Sequence, residues 1–115
     1  MQVRENLIAA LPAHPTDSTI DELQESILTR IDQADTERID GVILDVAPVQ
    51  TVDSFLARTI VETAKMVELM GVHPVLVGIS PAIAITATEL GFSLGDIDTA
   101  LSTDAALDIV SGLPK

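Results

Sequence analysis

Two carboxylates lie where side chains of their type could do chemistry. Asp45 stands inside an apolar run, and Asp53 follows it after a short loop. Such a pair could hold magnesium beside an aspartate that accepts a phosphoryl group. That chemistry also needs further carboxylates after the first strand and a lysine after the last. The chain has Leu11-Pro12-Ala13 at the first place and no lysine between Lys65 and Lys115, so this mechanism is disfavoured.

Simpler structural roles suit both carboxylates. We expect Asp45 to be a buried hydrogen-bond acceptor for loop or helix amides, and Asp53 to cap the helix that follows it. A small hydrolase that uses the two carboxylates is the enzymatic alternative, and we expect no turnover from it.

Ser54 is the residue whose position is most suggestive. It opens the second predicted helix, where a phosphoryl group would face unpaired backbone amides and the positive end of the helix dipole. The dipole contributes only ~0.3–1 kcal/mol, and the neighbouring Asp53 opposes it through like charge. A phosphate would add about −1.5 to −2 charge, enough to abolish docking of a partner without unfolding the chain. The alternative is a plain serine at a helix start.

The composition excludes several classes of site. There is no cysteine, so disulfides, thiolate metal sites and thiol nucleophiles are absent, and the six glycines are isolated rather than clustered into a phosphate-binding loop. Of the two histidines, His14 is expected to be solvated, and His73 stands before a proline at a strand start. We therefore expect neither a cofactor nor a bound metal.

The charge balance disfavours nucleic acid and anionic membranes as partners. Eighteen acidic residues face six basic ones, giving a net charge of −12, and only two residues are aromatic. The N-terminus does not resemble a secretory signal, and the uncharged stretch 69–88 is broken by glycine and proline. These features favour a cytoplasmic protein.

The pattern of apolar runs predicts alternating strands and helices. Strands are predicted at Leu7–Leu11, Val42–Val46, Val75–Ile79 and Ile97–Leu101, with a brief edge strand at Met1–Val3. Helices are predicted from Thr19, from Ser54 to Met70, from Ser80-Pro81 to Leu90, and from Ser102 or Thr103 to Val110. This order predicts an α/β fold with a mixed, mostly parallel sheet of four to five strands and about four helices.

Local patterns refine two of the helices. Thr19 and Glu22 have the spacing of a capping box, and Ile20, Leu23, Ile27 and Ile31 form one apolar stripe. In the second helix the predicted packing residues share helical spacing: Leu56, Ile60, Ala64, Val67, and Leu69 or Met70.

The stretch from Gly41 to Gly91 resembles a STAS domain, the fold of anti-sigma-factor antagonists. The resemblance is carried by the strand 42–46, by the junction Asp53-Ser54-Phe55, and by Val75–Pro81 leading into a helix that ends at Gly91. The Asp-Ser-Phe junction is similar to that of the RsbS-type antagonists of the stressosome. Sporulation-type antagonists carry Asp-Ser-Ser-Gly instead.

This resemblance implies a function. It implies a single, non-enzymatic STAS domain over residues 1–115 that binds an RsbT-like serine kinase and assembles with RsbR-like STAS proteins. Ser54 is implied to be the phosphoacceptor. Arg58 and Glu62 would lie one and two turns after Ser54 on the same side of the helix, so we expect them to contact a partner together with Asp53, Ser54 and Phe55. Phe55 could instead belong to the core, and Arg58 and Glu62 could be plain solvated positions. The alternative function is an accessory STAS subunit of a transporter or of another signalling complex.

Overall fold

A computed structural model describes residues 2–3, 5–34, 38–92 and 95–113. Its strands are β1 (Gln2–Val3), β2 (Asn6–Ala10), β3 (Gly41–Asp45), β4 (His73–Val77) and β5 (Asp98–Ala100). Its helices are α1 (Asp17–Asp32), α2 (Ser54–Leu69), α3 (Pro81–Glu89) and α4 (Thr103–Ser111). The predicted α/β class is confirmed. The edge strand expected at Met1–Val3 is present over Gln2–Val3, and Met1 lies outside the described residues.

The five strands form one sheet in the order β1-β2-β3-β4-β5. The short β1 pairs antiparallel with β2, and every later pair is parallel. The crossover helices follow from this parallel arrangement, because a parallel connection must cross from one end of the sheet to the other. β5 pairs with β4 alone and forms the edge opposite β1.

The middle strands are covered on both faces, as their unbroken apolar runs predict. Val42 and Leu44 point into the larger core, which α1, α2 and α3 cover. Ile43, which alternates with them, points into a smaller core with Val75 and α4. Val42, Ile43 and Leu44 are at most 4% exposed.

The start of α1 differs from the prediction. Its N-cap is Thr16, whose Oγ1 accepts a hydrogen bond from the Thr19 backbone N–H at 3.2 Å. Thr19 therefore lies within the first turn, and the predicted capping box with Glu22 is wrong. Threonines three residues apart made both starts possible, and the structure uses the earlier one.

The bounds of the four main strands also differ from the prediction. β2 and β3 each begin and end one residue earlier than predicted. β4 begins at His73 and ends at Val77, two residues before the predicted end at Ile79, because the chain turns at Gly78. Ile79 still packs on the larger core from the loop, which explains why its apolar character was mistaken for strand. β5 excludes Leu101, which is 97% exposed.

α2 buries a broad face but leaves its end open. Leu56, Ile60, Ala64 and Val67 are buried as predicted. The alternatives offered for the last packing position are wrong, since Leu69 is 88% and Met70 40% exposed. The predicted end of α2 near Gly71 is confirmed. Gly71 follows the C-cap with a φ of 81°, a left-handed conformation that glycine adopts without a steric penalty.

None of the described helices has the length and apolar character needed to cross a bilayer.

Candidate functional site

The candidate site lies at the end of the sheet formed by the carboxyl ends of the parallel strands. The loops that lead into α1, α2 and α3 meet there, because each of these helices follows a strand that runs in the same direction. Backbone hydrogen bonds continue past the strands, from Leu11 N–H to Asp45 O at 3.0 Å and from Val46 N–H to Val77 O at 2.9 Å. The loops therefore start from fixed positions.

Asp45 supports the first turn of the loop before α2. Its Oδ1 accepts a hydrogen bond from the Ala47 N–H at 3.0 Å. The prediction that Asp45 accepts from loop amides is confirmed, although the side chain is half-buried rather than buried. This hydrogen bond explains the carboxylate at position 45 without a catalytic role.

Gly78 allows the loops before α2 and α3 to approach each other. Its φ is 75°, and a Cβ built there would lie 2.5 Å from the Cβ and 2.8 Å from the Cα of Ala47. No other residue type fits both the backbone conformation and this distance. The two loops consequently hold each other in place.

The loop before α2 is also fastened to the loop before α1. The carbonyl oxygen of Ala13 accepts hydrogen bonds from the backbone N–H groups of Gln50 and Thr51, at 2.8 and 3.3 Å. The Nδ1 of His14 lies 2.6 Å from the Thr51 Oγ1. His14 is exposed, yet it is not merely solvated as expected. The sequence held no signal for a contact between residues 37 positions apart.

Asp53 caps α2, as predicted. It has an extended backbone (φ −128°, ψ 177°), and its Oδ1 accepts a hydrogen bond from the Leu56 N–H at 2.8 Å. A carboxylate at this position satisfies one of the free amides of the first turn and is favoured by the helix dipole.

Ser54 follows the cap as the first residue of α2. Its side chain is exposed, and its hydroxyl forms no hydrogen bond with any residue that the structure describes. The serines that precede α3 and α4 differ from it. Ser80 Oγ accepts from the Ile83 N–H at 3.2 Å, and Ser102 Oγ accepts from the Ala105 N–H at 3.1 Å. Ser54 is thus a serine at a helix start that carries no capping duty.

The other predicted contact residues differ in how exposed they are. Phe55 is half-buried and packs against the larger core, in accordance with the core interpretation. Arg58 is exposed one turn further along, and Glu62 is half-buried another turn on. Asp53, Ser54 and Arg58 are therefore the accessible members of the predicted set.

A second polar region lies at the opposite end of the sheet, where the parallel strands begin. It is a shallow cleft of about 410 Å³ lined by residues that include Arg38, Asp40 and Glu68. His73, which also lines it, has its Nε2 2.6 Å from an Oδ2 of Asp98 on β5. Throughout the described ranges, no three His, Asp or Glu side chains come close enough to hold a metal ion.

Comparison with known families gives one clear match. Residues 4–106 match the family model described as the STAS domain. This span includes every strand from β2 to β5 and the first half of α4.

Solved structures of similar sequence share the fold over nearly the whole chain. A serine-to-glutamate variant of Moorella thermoacetica RsbS is 31% identical, with a TM-score of 0.85 over 96% of this chain and 92% of that one. A structure described as the molecular architecture of the stressosome, a signal integration and transduction hub, is also 31% identical. Its TM-score is 0.78 over 96% of this chain and 94% of that one.

A longer relative shares part of the sequence. The RsbT co-antagonist protein RsbRB of Bacillus subtilis (strain 168) is 32% identical over 71 residues, which make up 62% of this chain. The chain spans only 26% of the length of that relative.

Proposed function

The chain belongs to the STAS domain family, and on that premise we propose that it is a non-enzymatic binding module of the RsbS type, switched by phosphorylation of Ser54. The observation that supports this most directly is the exposed hydroxyl of Ser54, which takes no part in capping α2. A partner kinase can reach such a hydroxyl without opening the fold.

The proposed partners follow from the relatives. RsbRB is named a co-antagonist of RsbT, and the stressosome structure is an assembly. We propose that this chain, as a single cytoplasmic STAS domain, assembles with RsbR-like STAS proteins and holds an RsbT-like serine kinase. Asp53, Ser54, Phe55, Arg58 and Glu62 are the proposed contact residues. No cofactor is needed for this role.

The proposed switch acts through charge. The kinase transfers the γ-phosphoryl group of ATP to the Ser54 Oγ: the bond between the γ-phosphorus and its bridging oxygen breaks, an Oγ–P bond forms, and ADP and the hydroxyl proton are released. The product carries about −1.5 to −2 charge beside the carboxylate of Asp53. The start of α2 tolerates this charge because the helix dipole and the nearby amides favour anions. A docked kinase surface does not, because like charges or desolvated phosphate at an interface are costly.

The test is to measure kinase affinity and stability for matched variants. Ser54→Asp should lower the affinity for the RsbT-type kinase of the same organism by about tenfold or more, which corresponds to ~1.4 kcal/mol. The melting temperature should stay within about 3 °C of the unmodified chain, because the substitution removes no intramolecular contact.

Ser18→Asp is the matched control for this experiment. Ser18 is exposed in the first turn of α1, so the variant adds the same charge at another helix start. It should leave the affinity within about twofold of the unmodified chain. An unchanged affinity for Ser54→Asp, or an equal loss for Ser18→Asp, would refute the proposed switch.

A further inference from the structure

The outward side of α2 and its cap carry charges of both signs. The charged residues there are Asp53, Arg58, Glu62, Lys65 and Glu68. In a chain with a net charge of −12, a phosphate on Ser54 joins a surface that is already rich in anions. The carboxylate of the adjacent Asp53 stays in place beside that phosphate, because it accepts the Leu56 N–H as the cap of α2. The added negative charge is therefore stabilised only if a cation lies close by.

Arg58 is the cation within reach of Ser54. The two residues are four positions apart, so their side chains leave the same side of α2 about 6 Å apart along its axis. Side chains of an α-helix lean toward its N-terminus, which brings the guanidinium of Arg58 back toward the turn that holds Ser54. Lys65 is eleven positions from Ser54, roughly 16 Å along the axis, which is too far for a contact.

Arg58 is available for a new ion pair. Its side chain is exposed, and among the residues that the structure describes it forms neither an ion pair nor a side-chain hydrogen bond. The competing anion on α2 is Glu62, four positions further on. An acid that follows a base at this spacing pairs less favourably than an acid that precedes it. A phosphate on Ser54 has the favourable order, and its charge of about −1.5 to −2 exceeds that of a carboxylate.

The chemistry of the two groups is also well matched. A guanidinium is planar and permanently charged, and it can donate two parallel N–H hydrogen bonds to two oxygens of one phosphate. The unmodified hydroxyl of Ser54 offers Arg58 neither charge nor a second oxygen. An attraction of this kind therefore arises only when Ser54 is modified.

We propose that Arg58 binds the phosphate of phosphorylated Ser54 in an ion pair within α2. This inference rests on the proposed function and deepens it, because it gives Arg58 a different task in each state of the switch. In the unmodified chain Arg58 is open to a partner, and in the phosphorylated chain its charge is neutralised by the phosphate. Phosphorylation thus adds negative charge and withdraws a cation from the same surface, while the ion pair offsets the repulsion between the phosphate and Asp53.

Phosphorus NMR tests the ion pair directly. Phosphoserine encoded genetically at position 54 gives the modified chain without any kinase. A cation beside the phosphate favours the dianion and so lowers the second pKa of the phosphate. At about pH 6, where phosphoserine titrates, the ratio of dianion to monoanion should be about twofold lower in Arg58→Gln than in the parent chain.

Two further variants serve as controls for this titration. Lys65→Gln makes the same change of charge at an exposed position of α2 and should leave the ratio unchanged. Arg58→Lys keeps the charge without the planar donor pair and should give an intermediate ratio. The other titratable groups around the start of α2 are the same in every chain compared: Asp53, and His14, which contacts Thr51.

Thermal unfolding gives an independent measurement. Arg58→Gln should lower the melting temperature by about 2 °C more in the phosphorylated chain than in the unmodified one, which isolates the interaction between the two groups. This difference should shrink at about 1 M NaCl, because salt screens an exposed ion pair. Lys65→Gln should lower the melting temperature equally in both chains.

The outcomes separate this ion pair from the proposed switch. An unchanged ratio in Arg58→Gln, or an equal change in Lys65→Gln, would overturn the ion pair, and a loss of kinase affinity in Ser54→Asp would still support the switch. If the ratio changes as expected while the RsbT-type kinase neither phosphorylates Ser54 nor loses affinity for Ser54→Asp, the ion pair is supported and the switch is wrong.

Discussion

The helices α2 and α3 both begin at the carboxyl ends of the parallel strands, yet the serine at each start has a different role. At α3, Ser80 is half-buried and its hydroxyl accepts the Ile83 amide. At α2, Asp53 accepts the Leu56 amide, and Ser54 stands one residue further on with an exposed hydroxyl. A modification of Ser80 would remove a cap and so destabilise the fold. A modification of Ser54 leaves the cap intact, which allows a change of surface charge without a change of structure.

The largest expected contrast between the two serines is in phosphorylation. Incubation with the RsbT-type kinase and ATP should place phosphate on Ser54 and none on Ser80, as read by mass spectrometry. Ser54→Ala should abolish incorporation, whereas Ser80→Ala should retain it in the folded fraction. Phosphate on Ser80, or undiminished labelling of Ser54→Ala, would contradict this difference between the two serines.

The loop before α3 should give the largest effect on stability. Gly78→Ala forces a side chain into a left-handed conformation and against Ala47, so we expect a loss of about 2–4 kcal/mol in the free energy of unfolding. Denaturant titration measures it. Gly112→Ala is the control, because its Cβ would meet only the Asp108 and Ile109 carbonyl oxygens, at 3.4 and 3.7 Å, and it should be neutral or slightly stabilising.

The two caps should have similar, smaller effects. Asp53→Ala and Ser80→Ala each leave a helix amide without its partner and should cost ~1 kcal/mol in the free energy of unfolding. Asp53→Asn keeps an acceptor oxygen and should recover most of that loss. If Asp53→Ala were neutral, the capping hydrogen bond would contribute nothing, and the contrast between the two helix starts would weaken.

Ser54→Ala should have the smallest effect on stability. Its hydroxyl is exposed and takes no part in the described hydrogen bonds, so the change in unfolding free energy should stay within about 0.5 kcal/mol. Thermal and denaturant unfolding of the same sample check this. A loss as large as that of Ser80→Ala would show that Ser54 has a structural duty after all.

The sequence predicted the parts of this site that depend on near neighbours. Asp53 as a cap, Ser54 at the helix start and Ser80 before Pro81 are all read from a few adjacent residues, and helix caps depend on little else. The alternation of apolar runs likewise predicted the parallel sheet, since a strand buried on both faces needs no polar positions.

Features that depend on distant contacts were missed. No sequence pattern near Gly78 predicts its close approach to Ala47, and none near His14 predicts its contact with Thr51. Each pair meets only after the loops fold together. The exposure of Leu69 was missed for a related reason. Its apolar character fits a packing position, and only the arrangement of the neighbouring helices shows that no element covers it.

The edge strand β5 affects how copies of this protein can meet. It spans three residues and begins with the exposed carboxylate of Asp98. The free backbone N–H and C=O groups of an edge strand can pair with a strand of another molecule. A short edge strand that carries a charge is a common protection against such pairing. Two copies brought together along β5 would face each other with like charges and few backbone groups to share, so crowding at high concentration should not by itself drive aggregation through this edge.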